Sequence, residues 1–330
     1  MTVIHDAAGV RLIHGDVSDP ATIAGIPARS VQTIVTSPPY FGLRDYGEDA
    51  QIGAEESLLV YVEKLVSVFH SLRRTLSDDG TLWLNLGDSY ARNPAKGFTG
   101  TMNGRNVPRM GYNGGNMASP DVPEKNLLGV PWRVALALQD DGWILRSDII
   151  WAKPNPMPES VEDRPTKSHE HLFLFAKSPR YYYDAEAIRE PASMGAAGSR
   201  FDTGKTARHQ LDRAQKRPPK QGYAADGEHR DNTDAETRNK RDVWTIPTVP
   251  FAESHFAVYP PELVRPCVRA GSRVGDTVLD PFSGSGTTGM VARQEGRKYI
   301  GIDLNRDYLD LSLRTRFAQP VMDVWGGDAA

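Results

Sequence analysis

The stretch VLDPFSGSGTTGMVARQEGRKYIGIDLN, residues 278–305, constrains the fold more than any other part of the chain. Val278 and Leu279 end a strand. Asp280-Pro281-Phe282 make a stiff exit, because proline fixes its own φ and biases the residue before it toward extended backbone. Gly284-Ser285-Gly286-Thr287-Thr288-Gly289 then forms a glycine loop opening a helix over residues 290–295. Residues 298–302 return as a strand with Asp303 at its carboxyl end. Strand, glycine turn, helix, strand is a βαβ unit, which implies a parallel sheet with helices on its faces. In such sheets ligands lie in the crevice at the carboxyl ends of the strands. The glycines and both acids fall there.

GSGTTG fits G-x-G-x-x-G, and Asp303 supplies the acid expected after the next strand of a dinucleotide site. An NAD-dependent dehydrogenase is therefore one reading. Glycines admit a ligand close to the backbone, and the carboxylate takes two ribose hydroxyls, so any adenosine-containing cofactor could use this layout. No G-x-x-x-x-G-K is present, so a nucleotide-hydrolysing phosphate loop is not expected. Asp280 tips the balance. Beside a pyrophosphate it would be repelled, whereas the sulfonium and ammonium of S-adenosyl-L-methionine tolerate an acid.

The rest of the chain extends the alternation. Residues 10–13 and 31–35 read as strands, residues 57–76 as a helix closed by Asp78-Asp79-Gly80, and residues 81–86 as a strand ending in Gly87-Asp88. A helix over residues 131–139, a strand over 143–151 and a strand-like HLFLFAK follow. Between Ile34-Val35 and Phe41 stands TSPPY, a rigid loop at a strand end. Two segments depart from the pattern. Residues 91–120 are Gly/Asn-rich and carry Arg92, Lys96, Arg105 and Arg109 with no acid, a long loop of the kind that is usually functional. Residues 189–241 are polar and hold twelve Lys/Arg against eight Asp/Glu, while the whole chain has net charge −3. Such a segment is either a solvated insertion or a nucleic-acid-facing element, with Lys216, Arg217 and Lys220 its densest basic cluster. The expected organisation is a catalytic half at 1–188, an insertion at 189–242 and a cofactor half at 243–330.

Near-neutral overall charge leaves nucleic-acid binding open, since only local clusters matter. One cysteine excludes a disulfide framework and fits a cytoplasmic protein. The amino terminus shows no signal peptide, and no apolar run approaches the about 18 residues of a membrane span. His169 and His171 alternate on a strand without an evident third ligand, so no metal is expected. Cys267 reads as a small buried helix residue, and Asp88 as structural.

Together, VLDPFSGSGTT, GIDLN and TSPPY resemble motifs I, II and IV of the DNA amino-methyltransferases, and HFAVYPPELV resembles their motif X. LIHGD resembles the end of motif III. The catalytic motif precedes the cofactor motif, the circularly permuted order of the beta class. The resemblance covers residues 10–90, 143–184 and 243–316. It implies an α/β, Rossmann-like methyltransferase domain with an inserted target-recognition region. It also implies S-adenosyl-L-methionine held by Asp280, Phe282, Gly284, Gly286, Thr287 and Asp303. Asp16 either caps a turn or contacts the adenine ring. The implied substrate is an exocyclic amine of a base flipped from double-stranded DNA. The carbonyls of Ser37 and Pro38 and Ser37 Oγ would accept the amine hydrogens, Pro38-Pro39 would fix them, and Tyr40 would stack on the base. Serine in TSPPY favours cytosine N4 over adenine N6 in this family. Arg92, Arg105, Lys216, Arg217 and Lys220 are the expected DNA contacts. Whether a cognate restriction endonuclease acts on the same site is not readable from the chain, and neither is oligomeric state.

Overall fold

The fold is built around central strands such as Val31–Thr36, short, β-branched and buried on both faces. The computed structural model describes residues 1–42, 51–91, 100–102, 105–107, 122–192, 237–249 and 259–318. In chain order the elements are β1 (Thr2–Ala7), β2 (Val10–His14), α1 (Pro20–Ala24), β3 (Val31–Thr36), α2 (Leu58–Leu72) and β4 (Leu76–Leu86). β5 (Gly100–Met102), β6 (Arg105–Val107), α3 (Val130–Asp140), β7 (Ile144–Ala152) and β8 (His169–Ala176) come next. The remainder are β9 (Glu190–Pro191), β10 (Thr237–Arg238), β11 (Val243–Thr245), α4 (Pro261–Gly271), β12 (Thr277–Asp280), α5 (Thr287–Gln294), β13 (Lys298–Asp303) and α6 (Arg306–Ser312). Two compact units result: Met1–Ala187 with Arg241–Ala330, and Ile188–Lys240. In the second, β9 and β10 pair antiparallel.

The first unit carries a nine-stranded sheet in the order β1-β2-β13-β12-β3-β4-β8-β7-β11. The run from β2 to β4 is parallel. The sheet is mixed rather than parallel throughout: β8 runs antiparallel to both β4 and β7, and β1 antiparallel to β2. The expectation of a parallel sheet fails at this side, because β7 and β8 follow each other without a crossover helix and so pair antiparallel. Strand β12 sits between β13 and β3, which places the cofactor motif beside a strand from more than 240 residues earlier.

Helix α2 buries Leu58, Tyr61, Val62, Leu65, Val68, Phe69 and Leu72, the three-and-four spacing of one helix face. Ser57 caps it, its side chain accepting from Val60 N. These residues pack with Ile34, Leu82 and Leu84. Each such side chain contributes about 1.5–3 kcal/mol of burial, and Phe69→Ala would cost about 3–5 kcal/mol. Successive strand residues face opposite ways. Ile34 therefore joins the α2 side, while Val35 lines a small cavity with Leu263, Val264 and Cys267 of α4. Helix α4 crosses the sheet closely at Gly271, where a Cβ would lie 2.8 Å from Thr33 Oγ1 and Trp83 Nε1.

Two further expectations change. Helix α2 ends at Leu72, and Asp78-Asp79-Gly80 belong to β4, not to a helix-closing turn. Leu76 already pairs with Val31, and a register shift before Thr33 absorbs the exposed acids. Within the Gly/Asn-rich segment, β5 and β6 form an antiparallel pair that includes the backbone of Arg105.

Candidate active site

The register brings the functional groups to one edge. β12 ends at Asp280, beside the exit of β3 at Thr36 and Ser37. β4 ends near Asn85, opposite Leu172, and Trp151 of β7 opposes Glu170. Antiparallel β8 thus presents its amino end, with Glu170, where the parallel strands present their carboxyl ends. Lys153 follows β7 at the same edge.

The TSPPY loop is held from several sides. Tyr61 of α2 donates to the Pro39 carbonyl at 2.9 Å. Among the described residues neither the Ser37 nor the Pro38 carbonyl takes a hydrogen bond. Tyr40 donates to Glu170 Oε2 at 2.6 Å and accepts from Asn85 Nδ2 at 2.8 Å and from Ser37 Oγ at 3.3 Å. Asn85 Nδ2 also donates to Glu170 Oε2 at 2.8 Å. Gly87 lies against the Tyr40 ring edge, where a Cβ would meet Cε2 at 2.7 Å. Lys153 Nζ bonds Glu170 Oε1 and sits 4.2 Å from the Trp151 ring centre. Burial works to raise the Glu170 carboxyl, but the Lys153 charge and the donors from Lys153, Tyr40 and Asn85 outweigh it and hold the pKa below its ordinary value. Burial, then the Glu170 charge, push the Tyr40 hydroxyl well above its ordinary value. Lys167, which donates to the Asp88 carbonyl, is lowered chiefly by burial.

The second half of the site is built on Asp280, 1 % exposed. Its Oδ1 accepts from Thr36 Oγ1 at 2.6 Å and Phe282 N at 3.1 Å. Its Oδ2 accepts from Thr288 Oγ1 at 2.7 Å and from the Tyr259 hydroxyl at 3.2 Å. Four donors fill four lone-pair positions. Asp280 therefore ties the glycine loop, the end of β3 and the start of α4 together through hydrogen bonds within the protein. Burial raises its carboxyl pKa despite the four bonds.

Around the loop, Asp303 Oδ2 accepts from Gly284 N at 2.7 Å and Oδ1 from Asn305 N at 2.9 Å. Gly284 has φ +50° and a Cβ there would meet only Phe282 O, at 4.0 Å, so one side of the loop is open. Gly286 has φ +77°, and its missing Cβ leaves room for Ser312 and the Phe317 ring. Its small size thus permits close packing against Ser312 and Phe317. Phe282 packs edge-on toward Phe69. Ser285 Oγ and Thr287 Oγ1 are buried without a partner among the described residues. An open glycine flank, two orphaned hydroxyls and a carboxylate at the next strand end fit an adenosine-type cofactor.

Asp16 caps a turn, accepting from Ser18 N at 2.8 Å. Asp88 accepts from Gly129 and Val130 N at the start of α3. Cys267 is buried in α4. His171 Nδ1 faces Asp148 at 3.0 Å and its ring stacks on Phe173. Arg92, Lys216, Arg217 and Lys220 lie outside the described residues, as does the Arg105 side chain. Sequence reasoning missed Thr36, Asn85, Lys153, Glu170, Tyr61 and Tyr259. For three of these there was a signal: Asn85 and Glu170 interrupt apolar strand runs, TLWLNL and HEHLFLF, and Lys153 follows such a run directly.

A permuted α/β sheet with a glycine loop, an acid at the following strand and a rigid Pro-Pro loop beside them defines an S-adenosyl-L-methionine-dependent methyltransferase. The chain belongs to the N6/N4 DNA methylase family, whose sequence model matches residues 31–314. It is 45% identical over 310 residues to the type II methyltransferase M.Cfr9I of Citrobacter freundii, covering 92% of this chain and 87% of that one. It is likewise 45% identical over 309 residues to M.SmaI of Serratia marcescens, covering 92% and 89%. Among solved structures, the cytosine-N4-specific PvuII DNA methyltransferase aligns with TM-score 0.58 at 19% identity, covering 92% of this chain and 84% of that one. A DNA modification methylase of Thermus thermophilus, complexed with S-adenosyl-L-methionine, aligns at TM-score 0.55 and 24% identity, covering 94% of each. The chain is thus a DNA methyltransferase that uses S-adenosyl-L-methionine. No described helix is long and apolar enough to cross a membrane.

Proposed function

We propose that this enzyme methylates the exocyclic N4 of cytosine in double-stranded DNA by direct transfer to a flipped base. The observation carrying the reading is the state of the TSPPY loop. The Pro39 carbonyl is tied to Tyr61, while the Ser37 and Pro38 carbonyls and Ser37 Oγ stand at the strand exit as acceptors. An exocyclic amine is a poor nucleophile because its lone pair is delocalised into the ring. Accepting its two hydrogens moves the nitrogen toward tetrahedral geometry and frees the lone pair. Fixed dipoles do this without reorganisation at the moment of reaction. A neutral serine, in place of an acid or asparagine at this position, supports cytosine over adenine. S-adenosyl-L-methionine supplies a methyl group made electrophilic by its sulfonium. Asp303, Gly284, Ser285 and Thr287 would hold it on the open flank of the glycine loop. Arg92, Arg105, Lys216, Arg217 and Lys220 would contact phosphates, and an endonuclease cutting the same site is the natural partner of such an activity. Modification-detecting sequencing of DNA from a host expressing the protein tests this. N4-methylcytosine at one recurring site is expected; N6-methyladenine there would replace cytosine with adenine as the substrate.

A further inference from the structure

We propose that Ser37, Tyr40 and Glu170 form a proton relay that unloads the target amine as it is methylated, with Lys153 and Asn85 as positioning residues. The proposal rests on TSPPY being the amine-binding loop. Its basis is the direction of the hydrogen bonds. Ser37 Oγ donates to the Tyr40 hydroxyl, and Tyr40 donates to Glu170 Oε2. Asn85 Nδ2 donates to both Tyr40 and Glu170, which an amide turned the other way could not do. With its own proton committed to Tyr40, Ser37 Oγ offers only lone pairs to a substrate. It is an acceptor, not a competing donor.

In the transfer step the amine lone pair forms the N–C bond, and the C–S pair stays with sulfur. The nitrogen then carries a positive charge and an excess proton. That proton passes to Ser37 Oγ, and its bonding pair returns to nitrogen. Ser37 passes its own proton to Tyr40, and Tyr40 passes its own to Glu170 Oε2. The products are a neutral methylated base, a thioether and a protonated Glu170, which returns its proton to solvent after turnover. Loss of the proton restores delocalisation into the ring, so the methylated ammonium is far more acidic than a carboxylic acid. A carboxylate held ionised by Lys153 is therefore a competent acceptor. Tyr40 passes a proton without ever ionising, in keeping with its raised pKa.

The charged and titratable groups that act on Glu170 are Lys153 after β7 and Tyr40 after β3, which bond it, and Lys167 just before β8 and His169 at its start, which act through charge. Lys153 sets the charge state. Without it, burial raises the Glu170 pKa.

Tyr40→Phe keeps the stacking ring and removes the relay hydroxyl, while Glu170 retains Lys153 and Asn85. The measurements are single-turnover methylation against pH, S-adenosylhomocysteine affinity by calorimetry, and duplex affinity. Tyr40→Phe and Glu170→Gln should each slow transfer by about 10²-fold, the low end of proton-transfer catalysis, and both affinities should hold. The wild-type rate should fall as pH drops through the Glu170 pKa. Lys153→Met should move that acid limb to higher pH, and Glu170→Gln should abolish it. If Glu170→Gln proves unfolded, the neutral pair Glu170→Gln/Lys153→Met carries the same test. Wild-type transfer by Tyr40→Phe, with Ser37→Ala and Tyr40→Ala impaired, would overturn the relay alone. Wild-type transfer by Ser37→Ala and Tyr40→Ala as well would overturn the loop reading beneath it.

Discussion

Replacing Asp280 separates two roles that a carboxylate in this position can have. As an internal tie it needs acceptor geometry; as a partner of the cofactor's cationic groups it needs charge. Asp280→Ala removes the acceptor for Phe282 N, Thr36 Oγ1, Thr288 Oγ1 and the Tyr259 hydroxyl. Thr288 retains the Val35 carbonyl at 3.3 Å and the Tyr259 hydroxyl retains Thr288 Oγ1, so two donors, Phe282 N and Thr36 Oγ1, lose their partner. Each unpaired buried donor costs about 1–3 kcal/mol, and losing a buried charge offsets part of the sum, so a net loss of roughly 3 kcal/mol is expected. At about 2.1 cal/mol/K per residue, the unit of Met1–Ala187 and Arg241–Ala330 that holds Asp280 has an unfolding entropy of about 0.6 kcal/mol/K. The melting temperature should therefore fall by about 5 °C. Asp280→Asn keeps Oδ1 for Phe282 N and Thr36. Its amide faces two hydroxyls that can rotate to accept, so its stability should stay within about 1 kcal/mol of wild type.

The pH dependence fixes the sign. The folded Asp280 pKa is raised, by burial first. Stability from a raised carboxyl is full below its unfolded pKa and is lost as pH rises through the folded one. The non-titrating Asn variant should therefore gain on wild type over that rise. Calorimetry with S-adenosylhomocysteine supplies the second arm: affinity of Asp280→Asn within about threefold of wild type, less than 1 kcal/mol. A tenfold or greater loss of affinity at an unchanged melting temperature would refute the internal-tie account.

Other outcomes follow from the same network of side chains. Gly289→Ala would place a Cβ 2.4 Å from Tyr299 Cε1 and 2.6 Å from Phe317 Cζ, so thermal melting should show a loss of about 1–3 kcal/mol from overpacking. Tyr61→Phe frees the Pro39 carbonyl; stability should drop by about 1 kcal/mol and single-turnover rate should fall, with S-adenosylhomocysteine affinity unchanged. Alanine at Lys216, Arg217 and Lys220 together should reduce the slope of log affinity against log salt by up to about 2.7, or about 0.9 for each phosphate no longer neutralised. Parallel salt lines would make that cluster a solvated surface.

The cofactor half of the fold was legible because its signals are local: Asp280, the glycines and Asp303 lie within 24 residues and prescribe strand, turn, helix and strand. The Pro-Pro exit was legible for the same reason. The direction of β8 was not. A strand run has the same alternation whichever way it pairs, and only the register sets Glu170 beside Tyr40. The distant partners of Asp280 and Gly286 were not legible either, since Thr36 and Tyr259 reach one and Phe317 packs on the other only in space. Tyr61 looked like one more apolar face residue of α2. Its ring is buried, but its hydroxyl reaches the TSPPY loop at the Pro39 carbonyl.

The central claim is that this edge of the sheet methylates an exocyclic amine of cytosine. Purified protein, unmethylated duplex DNA and S-adenosyl-L-methionine carrying a labelled methyl group should be combined, and the DNA digested to nucleosides for mass spectrometry. Label in N4-methyldeoxycytidine, absent with Ser37→Ala, is the predicted result. Label in 5-methyldeoxycytidine would contradict amine chemistry altogether, and label confined to N6-methyldeoxyadenosine would contradict the assignment of cytosine.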